Sequence, residues 1–228
     1  MPRFAVIGLG RYGQHLAKAL MAAGSEVIAI DRQGKHVEAL RDEVTLAVRL
    51  DSTDADALKT QGLSEVDAAV VGIGTDFESA VLTVAVLKDL GVQRIYARAE
   101  SDIQARIMTT TGADATVNPE KESALRWAHR LTLPNLQQYV DLGESHALVY
   151  IKAPPKLCHK TLAELNLRAQ YGVNLVAIKR EVAVSTEAEP HAKPTPVISV
   201  PEAGTTILPQ DVLVVVGSNE ALAGLPAD

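Results

Sequence analysis

"FAVIGLGRYGQHL", residues 4–16, holds the pattern from which the fold follows. An apolar run from Phe4 to Ile7 leads into Gly8, Gly10 and Gly13, and "RYGQHLAKALMAAG" continues at helical spacing to Gly24. This reads as a buried strand, a glycine turn and a helix. G-x-G-x-x-G alone matches many sequences by chance, so its surroundings must carry the inference. They do: a second strand, "EVIAID", ends in Asp31, 23 residues after Gly8, where an acidic residue meets the ribose hydroxyls of a bound nucleotide. In that motif Gly8 permits the tight turn, Gly10 lets the backbone approach phosphates, and Gly13 allows close packing of helix on strand. The helix N-terminus adds free N–H donors and partial positive charge. Asp31 would accept ribose hydroxyls and repel a 2′-phosphate, so NADP is not expected. Arg11 is the anomaly. A pyrophosphate served by the helix needs no guanidinium, which suits an extra phosphate or a second molecule; otherwise Arg11 is a solvated first-turn arginine.

The rhythm persists. Strands are expected at about "TLAVRL", "AAVVGIG", "RIYARA" and "ATVNP", with helices of ten or more residues starting near Lys35, Asp54, Asp76 and Asp102. Six strands make a doubly wound parallel sheet of Rossmann type. Phe77, Ala80, Val81 and Val84 fall at i, i+3, i+4 and i+7, one apolar helix face. Asp76 and Asp102 are expected N-caps. After Pro119, "EKESALRWAHRL" reads as a helix that Pro134 stops. The spacing therefore predicts a nucleotide-binding domain over 1–133 and a small α+β domain over 134–228. In the latter, "HALVYIKAP", "VNLVAIKR", "TPVISV" and "DVLVVVG" are strands, with short helices near Leu162 to Leu167 and Glu220 to Leu225.

Ligands of open α/β sheets lie beyond the carboxyl ends of the strands. That rule adds Asp51 and Ser52, near an adenine, and Ile73, Gly74 and Thr75, near the phosphate crevice. Asp51 and Thr75 read as turn or cap residues just as readily. Tyr12 and Arg32, beside Arg11 and Asp31, complete this set.

Composition narrows the classes. The 228 residues are 47% hydrophobic with net charge −6, ample for a core and poor for holding nucleic acid by phosphate neutralisation. No nucleic-acid partner is expected. The start lacks the charged leader and apolar run of a signal sequence, and the most apolar segments are strand-sized, so a soluble cytoplasmic chain is expected. Cys158 is the single cysteine, which excludes an internal disulfide and any C-x-x-C metal site. It reads as a small buried residue, and in a strand it would point away from His159.

"VIGLGRYG", "LDSTD", "VVGIGTDFESAVLTVAVLKDLG", "RAESDIQARIMTTTGAD", "NPEKESA" and "LRAQYGVNLVAIKR" together resemble the RCK regulatory subunits of bacterial potassium-uptake systems, the KtrA/TrkA family, and within it the KtrA and KtrC type. The similarity runs in order over nearly the whole chain. It implies a Rossmann domain binding ATP or ADP, and often NAD(H), followed by a small RCK C-terminal domain. It implies dimers formed through the crossover helix after the sixth strand. These assemble into rings, usually octameric, at the inner face of the cell membrane on a potassium-channel subunit of the KtrB or TrkH kind. Ring shape, set by ATP or ADP, would gate potassium flow. Carried over by residue, the resemblance has Arg11 reach the γ-phosphate and puts Arg98 facing the nucleotide. It makes Glu120 the carboxylate that helps hold a divalent ion such as Mg2+ against the phosphates. The plain reading of Glu120 is a first-turn carboxylate facing the helix dipole. Arg168 and Asn174 match positions that contact cyclic di-AMP in some relatives, and read equally as turn and surface residues. The segment "EVAVSTEAEPHAKPTPVIS" is longer than the family's hairpin.

Two rivals stand beside this reading. An NAD-dependent oxidoreductase shares the fold, but no tyrosine is followed by Lys at the fourth position, and no H-E-x-x-H, Walker A or S-x-x-K offers other chemistry. A redox regulator sensing NAD(H) would need a DNA-binding segment that the acidic chain does not display. An enzyme is therefore not expected.

Overall fold

The computed structural model describes residues 1–132, 135–143, 145–182 and 195–226. The chain forms two compact units, Met1–Glu122 and Ser123–Asp228.

The first unit carries six strands, β1 (Arg3–Ile7), β2 (Glu26–Asp31), β3 (Leu46–Arg49), β4 (Ala68–Val71), β5 (Ile95–Arg98) and β6 (Ala115–Val117). They pair in parallel in the order β3-β2-β1-β4-β5-β6. Between them run α1 (Arg11–Ala22), α2 (Gly34–Glu38), α3 (Ala55–Lys59), α4 (Phe77–Asp89) and α5 (Asp102–Thr111), and α6 (Pro119–Thr132) follows β6. This is the doubly wound sheet expected from the sequence. The central strands are continuous apolar runs because both faces are covered. Alternation divides them: Ala5, Ile7, Ile28 and Ile30 join one core with Val84 and Leu87 of α4, whereas Val6, Val27 and Ala29 join a second with Leu9 and Ala17. Strand order reverses between β1 and β4, so a crevice opens at their carboxyl ends.

Several local expectations change. α2 and α3 are five residues long rather than ten or more. Ser101, not Asp102, caps α5, its hydroxyl accepting the Gln104 N–H at 3.3 Å. A serine one residue earlier meets the same need of the first turn. Asp76 does cap α4, accepting from Ser79 N–H at 3.1 Å. α6 ends at Thr132, and its expected stop, Pro134, lies outside the described residues. The helix that the sequence reading placed whole in the first domain begins in the first compact unit and continues in the second.

The second unit is a five-stranded antiparallel sheet of β7 (Leu136–Gly143), β8 (His146–Lys152), β9 (Asn174–Val182), β10 (Thr195–Ser199) and β11 (Val212–Ser218), ordered β10-β9-β11-β8-β7. Three short helices, α7 (Leu162–Leu165), α8 (Leu167–Tyr171) and α9 (Asn219–Ala223), complete it. Strand β7 is new relative to the sequence reading. Cys158 is buried but follows a short 3-10 turn instead of lying in a strand, and burial pushes its thiol upward in pKa. The middle of the long proline-rich segment, residues 183–194, lies outside the described residues. Among the described residues no helix is long and apolar enough to cross a membrane.

Candidate functional site

The turn after β1 is held by backbone bonds on both sides: Gly8 N–H donates to Ile30 C=O at 2.8 Å, and Gly72 N–H to Ile7 C=O at 2.7 Å. Gly8 sits at φ +90°, and a Cβ there would meet the Ile73 amide nitrogen at 2.8 Å. At Gly13 a Cβ would overlap the Gly8 carbonyl oxygen. Gly13 is thus spent on letting α1 approach its own turn and does not line the cavity. Gly10 differs: nothing lies within 4 Å of its Cβ position. It stands at the N-terminus of α1 with no side-chain cap and no acidic residue in the first turn. The N–H groups of that turn are open to an anion.

Above the strand ends lies a cavity of about 360 Å³. It is lined by Gly8, Gly10, Arg11, Tyr12, Asp31, Arg32, Asp51, Ser52, Ile73, Gly74, Thr75, Arg98 and Glu120, together with His36, Gln33, Asp76 and Ser79, which the sequence reading did not place there. Asp31 is 9% exposed. Its Oδ2 accepts from Leu9 N–H at 2.7 Å and faces His36 Nδ1 at 3.1 Å, while Oδ1 accepts from Gln33 N–H at 2.7 Å. The carboxylate therefore fastens the glycine turn to the end of β2 before any ligand arrives. Ser52 turns its hydroxyl to Thr83 at 2.8 Å. Because Thr83 donates its own proton to Ser79 C=O, Ser52 is the donor in that pair. Asp51 accepts the N–H and hydroxyl of Thr53, which hold its carboxyl below the usual range.

The charges are distributed unevenly. Arg32 donates to Asp76 at 3.1 Å, and Arg98 donates to Glu120 at 2.7 Å and Glu100 at 3.3 Å. Arg11 is exposed and has no hydrogen bond or ion pair with any described residue. Tyr12 has its phenol pushed up by burial and then by Glu122, with Arg98 pulling the other way, so it stays a neutral donor. Among the described residues no group of three or more His, Cys, Asp or Glu could hold a metal ion. Glu120 is occupied by Arg98, so these residues do not by themselves fit a divalent cation. In the second unit Arg168 on α8 and Asn174 at the start of β9 are both exposed. Neither borders the shallow depression formed by Gln170, Tyr171, Ser218, Glu220, Ala221 and Gly224.

Comparison with known proteins agrees with this division. The TrkA-N domain family matches residues 4–119 and the TrkA-C domain family residues 146–225. The chain is 40% identical over 217 residues to Ktr system potassium uptake protein C of Bacillus subtilis, covering 94% of this chain and 91% of that protein. To potassium uptake protein A of the same organism it is 34% identical over 177 residues, 78% of this chain and 80% of the other. Among solved structures, the GsuK channel bound to NAD superposes with a TM-score of 0.61 at 15% identity, over all of this chain and 40% of that one, a likeness of fold. The chain belongs to the RCK family of TrkA-N/TrkA-C proteins, as a relative of the regulatory subunits of the Ktr potassium-uptake system.

Proposed function

We propose that this protein is a nucleotide-sensing regulatory subunit of a potassium-uptake system, with ATP and ADP as the opposed ligands. The observation that carries the reading is the phosphate end of the cavity. There an uncapped helix N-terminus and the Arg11 guanidinium, which is unpaired among the described residues, stand together. Two sources of positive character exceed what a diphosphate needs and suit a third phosphate, on the same nucleotide or a neighbouring subunit's. NAD(H) fits the same turn and Asp31, and stays the second candidate; the GsuK channel, which shares the fold, is solved bound to NAD. The partner is a membrane channel subunit, met at its cytoplasmic face by a ring of these chains. Nothing in the reading requires bond making: the output is a difference in affinity between two ring shapes, since equal affinity shifts nothing.

The test is a thermal-shift panel with ATP, ADP, NADH, NADPH and cyclic di-AMP, each with and without Mg2+. A ligand at 100 times its dissociation constant adds about 2.7 kcal/mol of stability. Stabilisation by ATP and ADP is expected. Stabilisation by NADH alone moves the reading to a redox sensor. A response to cyclic di-AMP that Arg168→Ala and Asn174→Ala abolish would place that ligand in the second unit.

A further inference from the structure

Helix α6 is held at its two ends by different contacts. None of its residues is buried, and only Pro119, Ser123 and His129 are half-buried. At its start Asn118 Oδ1 accepts the Lys121 N–H at 2.9 Å, and the Lys121 ammonium lies 3.5 Å from Asp102 of α5. Both contacts belong to the first compact unit. At its far end the His129 ring stacks on Tyr139 of β7, with ring centroids 3.7 Å apart and planes 18° from parallel. The other side-chain contacts of the last two turns, Thr132 on the Ala128 and His129 carbonyls and Arg130 over the Trp127 ring, stay within the helix. Tyr139 is itself anchored. Apart from Leu136 it is the one residue of β7 that is not exposed, and it packs against the buried core of the second sheet. Its phenol donates to Asn219 Oδ1 at 2.9 Å, and the Asn219 N–H donates to Ser145 C=O at 2.8 Å. Asn219 opens α9, whose Leu222 is buried in the same core.

We infer that the His129–Tyr139 stack is the joint through which α6 drives the second unit: it makes the last turn of the helix part of the second sheet, so a displacement of α6 set by the nucleotide carries the sheet with it. The inference rests on the nucleotide-sensor reading above. α6 is the helix that carries the chain from the first compact unit into the second. Coupling between distant sites travels through side chains in contact, and among the described residues this stack is the one side-chain contact that the last two turns of α6 make outside the helix. Its chemistry suits the task. Two aromatic rings have a preferred offset and tilt, so the pair fixes the direction of the helix end as well as its distance. Through the Tyr139 phenol the constraint reaches α9 and the start of β8.

His129→Ala in the full chain removes the stack and leaves the cavity untouched. Amide hydrogen exchange, measured without nucleotide, should quicken by about two- to ten-fold over the last turn of α6, the range set by a single aromatic pair, and stay unchanged in the first turn. Calorimetry should find the ATP and ADP affinities within about two-fold of wild type, as for distant sites, while the difference in small-angle scattering between the two saturated forms shrinks. His129→Phe keeps a stacking ring and should restore both the exchange rates and the scattering difference. Tyr139→Leu should reproduce the alanine variant, and combining the two should add nothing. A full-sized scattering difference in His129→Ala, or wild-type exchange in its last turn, overturns the joint. Wild-type scattering that is the same with ATP and with ADP overturns the sensor reading itself, and is told apart by needing no variant; the exchange rates of the unliganded chain decide the stack either way.

Discussion

Asp31 does two jobs with one carboxylate. Ionised, it offers about four acceptor positions, and three are taken by Leu9 N–H, Gln33 N–H and His36. A ribose can add one hydroxyl freely, and a second must displace His36, the only side chain among the three. Asp31→Asn should therefore harm both tasks. It leaves one side-chain oxygen where two now accept, and a buried N–H without an acceptor costs about 1–3 kcal/mol. Urea unfolding should show a loss of that order, and calorimetry a nucleotide affinity down by about ten-fold or more. Gly13→Ala tests the turn itself. Its Cβ would overlap the Gly8 carbonyl, so stability should fall by about 1–3 kcal/mol, as for other overpacked sites, with nucleotide binding lost. Asp51 provides a pH test. Its folded carboxyl titrates below the ordinary value because the Thr53 N–H, then the Thr53 hydroxyl, favour the charged form. Its contribution is therefore full above the unfolded pKa of about 3.9 and is lost as pH falls through the lower folded value. Melting temperatures followed downward from pH 5 should drop through this window, with a shallower fall in Asp51→Asn.

In the second unit the sheet is fastened at one end by Arg180 of β9, whose Nε and Nη2 reach the two oxygens of Asp211 at 2.6 and 2.7 Å. Asp211 is fully buried and also accepts the Leu208 N–H at 2.8 Å. Arg180→Met strands that carboxylate. The cost should be about 3 kcal/mol, the low end for a broken buried pair because Arg180 is itself one-third exposed, and denaturant unfolding measures it. Strands β1, β2 and β4 were legible beforehand because they bury both faces and so write continuous apolar runs. Strand β7 was not: it lies at the sheet edge, and its "LQQYVDLG" buries Leu136 while most of the rest is exposed. Half-covered edges leave a weak alternation that Gln and Asp obscure. The site divides the same way. The glycine turn and Asp31 announce themselves by spacing, and the resemblance supplied Arg98 and Glu120 as positions. Their pairing, 22 residues apart, had no signature, since ion pairs across loops follow no period. Gln33 and His36 enter the cavity from the N-cap and first turn of α2, where the Gln33 N–H and His36 Nδ1 meet Asp31.

Arg11 is where local charge must become a property of the assembly. An exposed cation with no partner among the described residues costs little in the unliganded protein, and it gains most from whichever ligand brings charge within reach. Against a diphosphate the α1 N-terminus already suffices, so the guanidinium adds little; against a triphosphate it meets the added group. Arg11→Ala should therefore weaken ATP by about ten-fold, a charged hydrogen bond of roughly 1.5 kcal/mol, and ADP by much less. The consequence for the ring follows from linkage: coupling of about 1–3 kcal/mol is ordinary between a ligand and a two-state assembly, and Arg11→Ala would remove a large part of it. Small-angle scattering of the wild-type assembly should then differ between saturating ATP and saturating ADP, while the Arg11→Ala assembly gives profiles that nearly coincide. Equal losses for the two nucleotides, with the scattering difference intact, would mean that the third phosphate is read by other groups, and that Arg11 is a solvated first-turn residue after all.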